Sequence, residues 1–240
     1  MDQQAKLDVY RAQTENVRAL RTAMRQVHKS INAALRGRDN AAATAFSKIY
    51  ALLFCAWAEA NFSKVLHTPY GFKLDEIAQV QASRENGIGE AWKKSVELGL
   101  RHLDATKRGS FRPNAQQRLE SAIHTHVFDP SLLRNKLAHG QWVVALNRAN
   151  EAISQEITVK IATLDLVVVS GWMRVHELLA DLVETLIESP KKAFMRDWYQ
   201  VVVDLDSEMN AAAARTLADH VVRLQAKDAR TGAASKRLRI

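Results

Sequence analysis

Cysteine occurs once in the 240 residues, as Cys55, so neither an intramolecular disulfide nor a cysteine-rich zinc site can form. Its neighbours Leu53, Phe54 and Trp57 are apolar, which reads as a buried thiol rather than a reactive one. A signal-peptide core is also lacking, because the chain starts with the polar run Met1-Asp2-Gln3-Gln4-Ala5-Lys6. No long apolar run is free of charge. The most apolar stretch, residues 164–187, carries Arg174, His176, Glu177, Asp181 and Glu184, which argues against a membrane span. The expected setting is the cytoplasm, with no membrane partner. There is no glycine-rich phosphate loop, no zinc-ligand spacing and no internal repeat, so neither a cofactor nor a metal is expected.

What is present fits a globular chain. Hydrophobic residues make up 47% and charged residues 25%, enough to build a core without covalent staples. The formal net charge is +8 and the isoelectric point about 9.7. That balance favours a polyanionic partner, RNA or DNA, held through phosphate contacts and long-range steering.

Helical periodicity dominates. Val17, Leu20, Met24, Val27, Ile31 and Leu35 recur at steps of three and four, which predicts a long amphipathic helix ending near Gly37. Asp39 or Asn40 can cap a second helix whose apolar face is Phe46, Ile49, Tyr50, Leu53 and Trp57, and the Pro69-Tyr70-Gly71 turn stops it. Further helices are expected over 74–83, 88–103 and 115–127, with an exposed basic loop at 106–114 carrying Lys107, Arg108, Gly109, Arg112 and Pro113. Asp129-Pro130 reads as an N-cap followed by a first-turn proline. Gly140 suits the left-handed cap that would end this short helix. Strand signals occur once, in 142–146 and in the alternation Ile157, Val159, Ile161, which predicts a small β-hairpin within 141–161. A long helix over 164–188 and further helical pattern to 226 complete a mainly α, antiparallel helical bundle. Residues 227–240 hold Lys227, Arg230, Lys236, Arg237 and Arg239 against Asp228, a basic tail that is either solvated or in contact with RNA.

The segment with the most chemistry is Arg134-Asn135-Lys136-Leu137-Ala138-His139. On a helix Asn135 and His139 lie about 40° apart, whereas Arg134 is about 140° from His139. Convergence therefore needs the arginine to reach around or the last turn to loosen. Histidine can take a proton from a ribose 2′-hydroxyl or return one to a leaving oxygen. Arginine matches a phosphate and stabilises charge developing on it, and asparagine can orient either partner. With the 2′-hydroxyl as internal nucleophile, the substrate would be RNA and no metal would be needed. Spacing alone also fits a simpler role, in which both cations cap helix carbonyls.

Arg-Asn-Lys-Leu-Ala-His-Gly at 134–140 resembles the Arg-x4–6-His signature of the HEPN superfamily, in the variant with a polar residue after the arginine and glycine after the histidine. The resemblance spans about residues 45–190, and the motif is its specific part. It implies an all-α bundle, commonly dimeric, with two motifs facing each other. It also implies a metal-independent RNase of the kind found in phage-defence and toxin–antitoxin systems. Carried onto this chain, His139 is the acid–base group, Arg134 the phosphate clamp and Asn135 their support, with Lys136 and Glu59 as further supporting residues. An acidic residue on the helix beside the motif commonly orients the arginine in similar sequences. Glu59, however, projects about 140° from the centre of its helix's apolar face and equally fits a surface role.

The other histidines offer less. His124 and His126 diverge by about 200° on a helix and make a poor metal pair. His176, among Val175, Leu178 and Leu179, reads as a satisfied bundle residue. The leading expectation is an RNA-cleaving homodimer of a helical domain over 1–226, restrained by an antitoxin or other regulatory partner. The alternatives are a non-catalytic module of the same fold that binds nucleic acid or protein, and a purely structural scaffold.

Overall fold

The computed structural model describes residues 1–103 and 109–237, with side chains through Arg230. It is a mainly α bundle of helices α1 (Gln3–Arg36), α2 (Asn40–Leu66), α3 (Leu74–Arg84), α4 (Ile88–Arg101), α5 (Phe111–Ile123), α6 (Asp129–Ala138), α7 (Gln155–Ala162), α8 (Leu166–Glu188), α9 (Met195–Ala214) and α10 (Leu217–Arg237). Two π-helical turns, His124–Phe128 and Pro190–Phe194, precede α6 and α9.

Local chemistry explains the main boundaries. Asp2 accepts from the Ala5 N–H at 2.7 Å and starts α1, and Asp39 accepts from Ala42 at 2.9 Å and starts α2. Arg38, at φ 58°, makes the tight reversal between them. Asp165 accepts from Val167 and Val168 at the head of α8. The expected stripe of α1 is buried at Met24, Ile31 and Leu35.

α2 and α8 form the spine, and two hydrophobic clusters share them. One cluster joins α1, the first half of α2, α6 and the start of α8 through Met24, Phe54, Trp57, Leu133 and Leu137. The other joins the end of α2 to α3, α4, α5, the rest of α8 and α9 through Phe62, Trp92, Leu119 and Leu179. α2 is long and apolar enough to cross a bilayer by composition, but its apolar surface is spent on both clusters.

Two expectations are corrected. The hairpin is absent among the described residues; only one antiparallel bridge, Leu146 to Ile153, marks it. Ile157 and Ile161 fit a period of four as well as one of two, and Val159 distinguishes them. α7 forms, Ile161 is fully buried and Val159 is 54% exposed. The basic loop is also shorter than expected. Arg112 and Pro113 lie in the first turn of α5, where a proline costs nothing, while Lys107 and Arg108 fall outside the described residues. Separately, α10 continues past Lys227 to Arg237. Arg239 lies outside the described residues.

Asp129 does not cap a new helix. Its φ of −57° and ψ of −48° are helical, and its N–H reaches the His124 carbonyl five residues back. α5, the π turn and α6 are thus one continuous helix with a bulge. Pro130 gives the reason, since it has no N–H to offer a carbonyl in the preceding turn.

Candidate active site

α6 ends in a Schellman motif. The Gly140 N–H bonds the Leu137 carbonyl at 3.2 Å, and the Gln141 N–H bonds the Lys136 carbonyl at 2.9 Å. Gly140 sits at φ 79°, a conformation that favours glycine. His139 leaves helical geometry (φ −92°, ψ 20°) just before it. Arg134, Asn135, Lys136 and His139 all line one cleft of about 1180 Å³, as does Glu59.

Glu59 is the anchor. Its Oε1 accepts from Arg134 Nη2 at 2.5 Å, and its Oε2 accepts from Arg84 Nη2, at the end of α3, at 3.3 Å. Arg134 Nη1 also donates to Asn135 Oδ1 at 3.0 Å. The guanidinium is therefore fixed from two sides while remaining 37% exposed. Of the face drawn for α2 from Phe46, Ile49, Tyr50, Leu53 and Trp57, Tyr50 and Trp57 are buried and Phe46 and Leu53 partly so, yet burial extends well beyond that face. Ile49 is 37% exposed, and the helix is buried around most of its circumference at Tyr50, Ala51, Phe54, Cys55, Trp57, Ala60 and Phe62. Glu59 emerges where α2 faces α6 and the end of α3.

His139 is exposed at the rim, and no described residue hydrogen-bonds its ring. Lys136 acts elsewhere: its Nζ donates to the Leu146 carbonyl at 2.6 Å, tying the 141–153 loop to α6. Trp142 Nε1 donates to the Leu137 carbonyl at 2.8 Å, and Leu146 N–H to Gln141 Oε1 at 2.8 Å. These side-chain bonds supplement the short antiparallel pairing of the loop, in which Asn147 N–H bonds the Ala152 carbonyl at 2.7 Å and Ser154 N–H the Ala145 carbonyl at 2.8 Å. The cleft is lined by four cations, Arg84, Arg134, Lys136 and Arg148, against one carboxylate, Glu59.

Toward its floor the cleft changes character. Cys55 is buried, and desolvation pushes its thiol up to about 12 despite nearby Arg134, so it is no nucleophile. His176 on α8 is 1% exposed, and burial pulls its imidazole down to about 3. His126, in the π turn, is also lowered by burial, against a raising influence of Asp129. Both rings are neutral at physiological pH. Contrary to the sequence-based expectation, His176 is not satisfied: neither nitrogen has a partner within the protein, and the same holds for both nitrogens of His126 and for Trp92 Nε1. An unpaired buried polar group costs about 1–3 kcal/mol, and the same condition recurs away from the cleft at Trp57 Nε1 and His67 Nε2. His124, by contrast, is exposed and stacks on Phe128 at 5.5 Å.

Arg84, Trp92, His126 and Arg148 were not legible as cleft residues. Pro130, four residues after His126, was the one available signal of a helical bulge there. No family model, curated protein or solved structure matches this chain.

Proposed function

We propose that this protein is a metal-independent endoribonuclease of the HEPN type, working in the cytoplasm as a homodimer. The observation that carries the reading is the Glu59-anchored Arg134 sharing one cationic cleft with Asn135 and His139. In this reading Arg134 grips the scissile phosphate in the orientation Glu59 imposes. His139 takes the proton from the 2′-hydroxyl as that oxygen attacks phosphorus. The 5′-oxygen leaves with a proton from the His139 of a second copy, giving a cyclic phosphate and a free 5′-hydroxyl. One chain supplies one motif histidine, so the twofold arrangement provides both acid and base. Val143, Val144 and Ile153, exposed on the loop next to His139, give a second copy apolar surface to cover. A cytoplasmic RNase of this kind fits a toxin or phage-defence component restrained by an antitoxin or other regulatory protein.

The test is incubation with single-stranded and structured RNA in EDTA, using wild type, Arg134→Ala and His139→Ala. Wild type should cut, and each variant should lose at least about 100-fold. Undiminished cutting by His139→Ala would sink the catalytic role. RNA binding by all three proteins without cleavage would establish the non-catalytic binding module instead.

A further inference from the structure

Arg84 takes no part in the proposed reaction, yet it stands beside the arginine that grips the phosphate. It is the last residue of α3, it lines the cleft, and 48% of its side chain is exposed. Its Nη2 donates to Glu59 Oε2, while Arg134 Nη2 donates to Glu59 Oε1. The two guanidinium groups are therefore separated by no more than two hydrogen bonds and the width of one carboxylate. That span is close to the step between neighbouring phosphates on a single strand. Glu59 neutralises one of the two cations, so the trio keeps a net positive charge. An exposed ion pair needs a single cation and contributes about 0–1 kcal/mol; the second arginine adds like-charge repulsion to the unliganded protein. Arg84 uses one N–H on Glu59, and no other described residue accepts from it. Most of its five donors are thus unused.

We propose that Arg84 is a second phosphate clamp, holding the RNA phosphate next to the scissile one while Arg134 holds the scissile phosphate itself. The inference rests on the nuclease reading for the role of Arg134, and it adds a length requirement. The site takes a strand with two neighbouring phosphates in preference to a lone phosphodiester. Each oxygen of Glu59 orients one guanidinium before RNA arrives, and such preorganisation lowers the ordering cost of binding. A guanidinium fork matches a phosphate in plane and charge. When two phosphates enter, the repulsion between the two arginines is relieved, because each cation then faces an anion. Lys136, which also lines the cleft, is committed instead to the Leu146 carbonyl. Arg84 shares the anchor of Arg134, so its distance from the scissile phosphate is set by the same carboxylate.

The test uses the full chain and two kinds of oligonucleotide. Binding of a fluorescent single strand lacking 2′-hydroxyl groups, which this chemistry cannot cut, is followed by anisotropy between about 50 and about 200 mM salt. Arg84→Ala should lower the slope of log affinity against log salt by about 0.7, the share of one phosphate on a single strand. Arg84→Lys, which keeps the charge, should preserve the slope. Cleavage is followed on dinucleoside monophosphates with and without an added 5′- or 3′-terminal phosphate. One of the two added phosphates should lower KM in wild type by about fivefold, and Arg84→Ala should abolish that difference. A role confined to steadying Arg134 through Glu59 would lower kcat on every substrate alike and keep the difference, which overturns the clamp. An unchanged salt slope in Arg84→Ala overturns it too. Displacement of the oligonucleotide by micromolar inorganic pyrophosphate would assign both arginines to a compact diphosphate and overturn the strand reading. A lowered slope in Arg84→Ala, with no RNA cut by wild type, keeps the two-phosphate clamp and removes the nuclease reading. Cutting by wild type with no benefit from either added phosphate does the reverse.

Discussion

Replacing His176 with phenylalanine removes a titration that the fold pays for and keeps a ring among Phe54, Trp57 and Trp92. In the native protein burial holds this imidazole at about 3, whereas in the unfolded chain it titrates near 6.5. The folded value is depressed, so the unfolded state binds the extra proton first as pH falls. The contribution is complete above the unfolded value and declines as pH drops from about 6.5 toward about 3. Between about pH 7.5 and about pH 5 the integrated loss is about 2 kcal/mol, at roughly 1.4 kcal/mol per unit once below the unfolded value. For a chain of this length that is a difference of about 4–8 °C in Tm. Urea titrations of wild type and His176→Phe at the two pH values, read by circular dichroism, measure it. Wild type should lose about 2 kcal/mol more than the variant across the window. Carboxylates such as Glu177 and Asp181, raised by burial, remain in both proteins and cancel to first order in the difference. Parallel pH profiles would refute the reasoning, because they would mean that His176 is solvated or already protonated in the fold.

Two further outcomes test the anchor and the cap. Glu59→Gln removes the charge that orients Arg134; with both side chains more than a third exposed, stability should change by no more than about 1 kcal/mol, while RNA cleavage falls about tenfold and Glu59→Asp restores part of it. Unaltered cleavage by Glu59→Gln would remove Glu59 from the site. Gly140→Ala has open space for its methyl group but must hold φ 79°, so it should cost about 1 kcal/mol of backbone strain and about 2–4 °C in Tm. A melt identical to wild type would show that the Schellman turn is not held in solution.

The helical bundle was legible because long stripes such as Met24–Ile31–Leu35 leave one period to choose from. The hairpin was not, because Ile157, Val159 and Ile161 fit two periods and burial alone separates them. The same reasoning separates the two parts of the site. Arg134, Asn135 and His139 are contiguous, and a short segment with its own glycine cap can be read locally. Glu59 is not legible from a single helix face, because a helix buried on most sides has no one face from which to measure an angle. His126 depends on a π turn, and one extra residue per turn shifts the register of the helix in a way that periodicity does not report.

The position of the cleft follows from how the two cores meet. The continuous helix containing α5 and α6 packs on one cluster through Leu119, Ile123 and Val127 and on the other through Leu133 and Leu137. It changes partner at the bulge that holds His126. On α8, Leu166 and Val169 belong to one cluster and Leu179 and Val183 to the other, with His176 between them. The ring of His176 touches Phe54 and Trp57 of the first cluster and Trp92 of the second. Side chains at such a seam answer to two packings at once, so close-packed apolar filling is hardest to achieve there. Unpartnered polar atoms sit at the seam in His126, His176 and Trp92, and within the first cluster at Trp57 Nε1. Arg134, displayed from one cluster, and Arg84, displayed from the other, both bond Glu59.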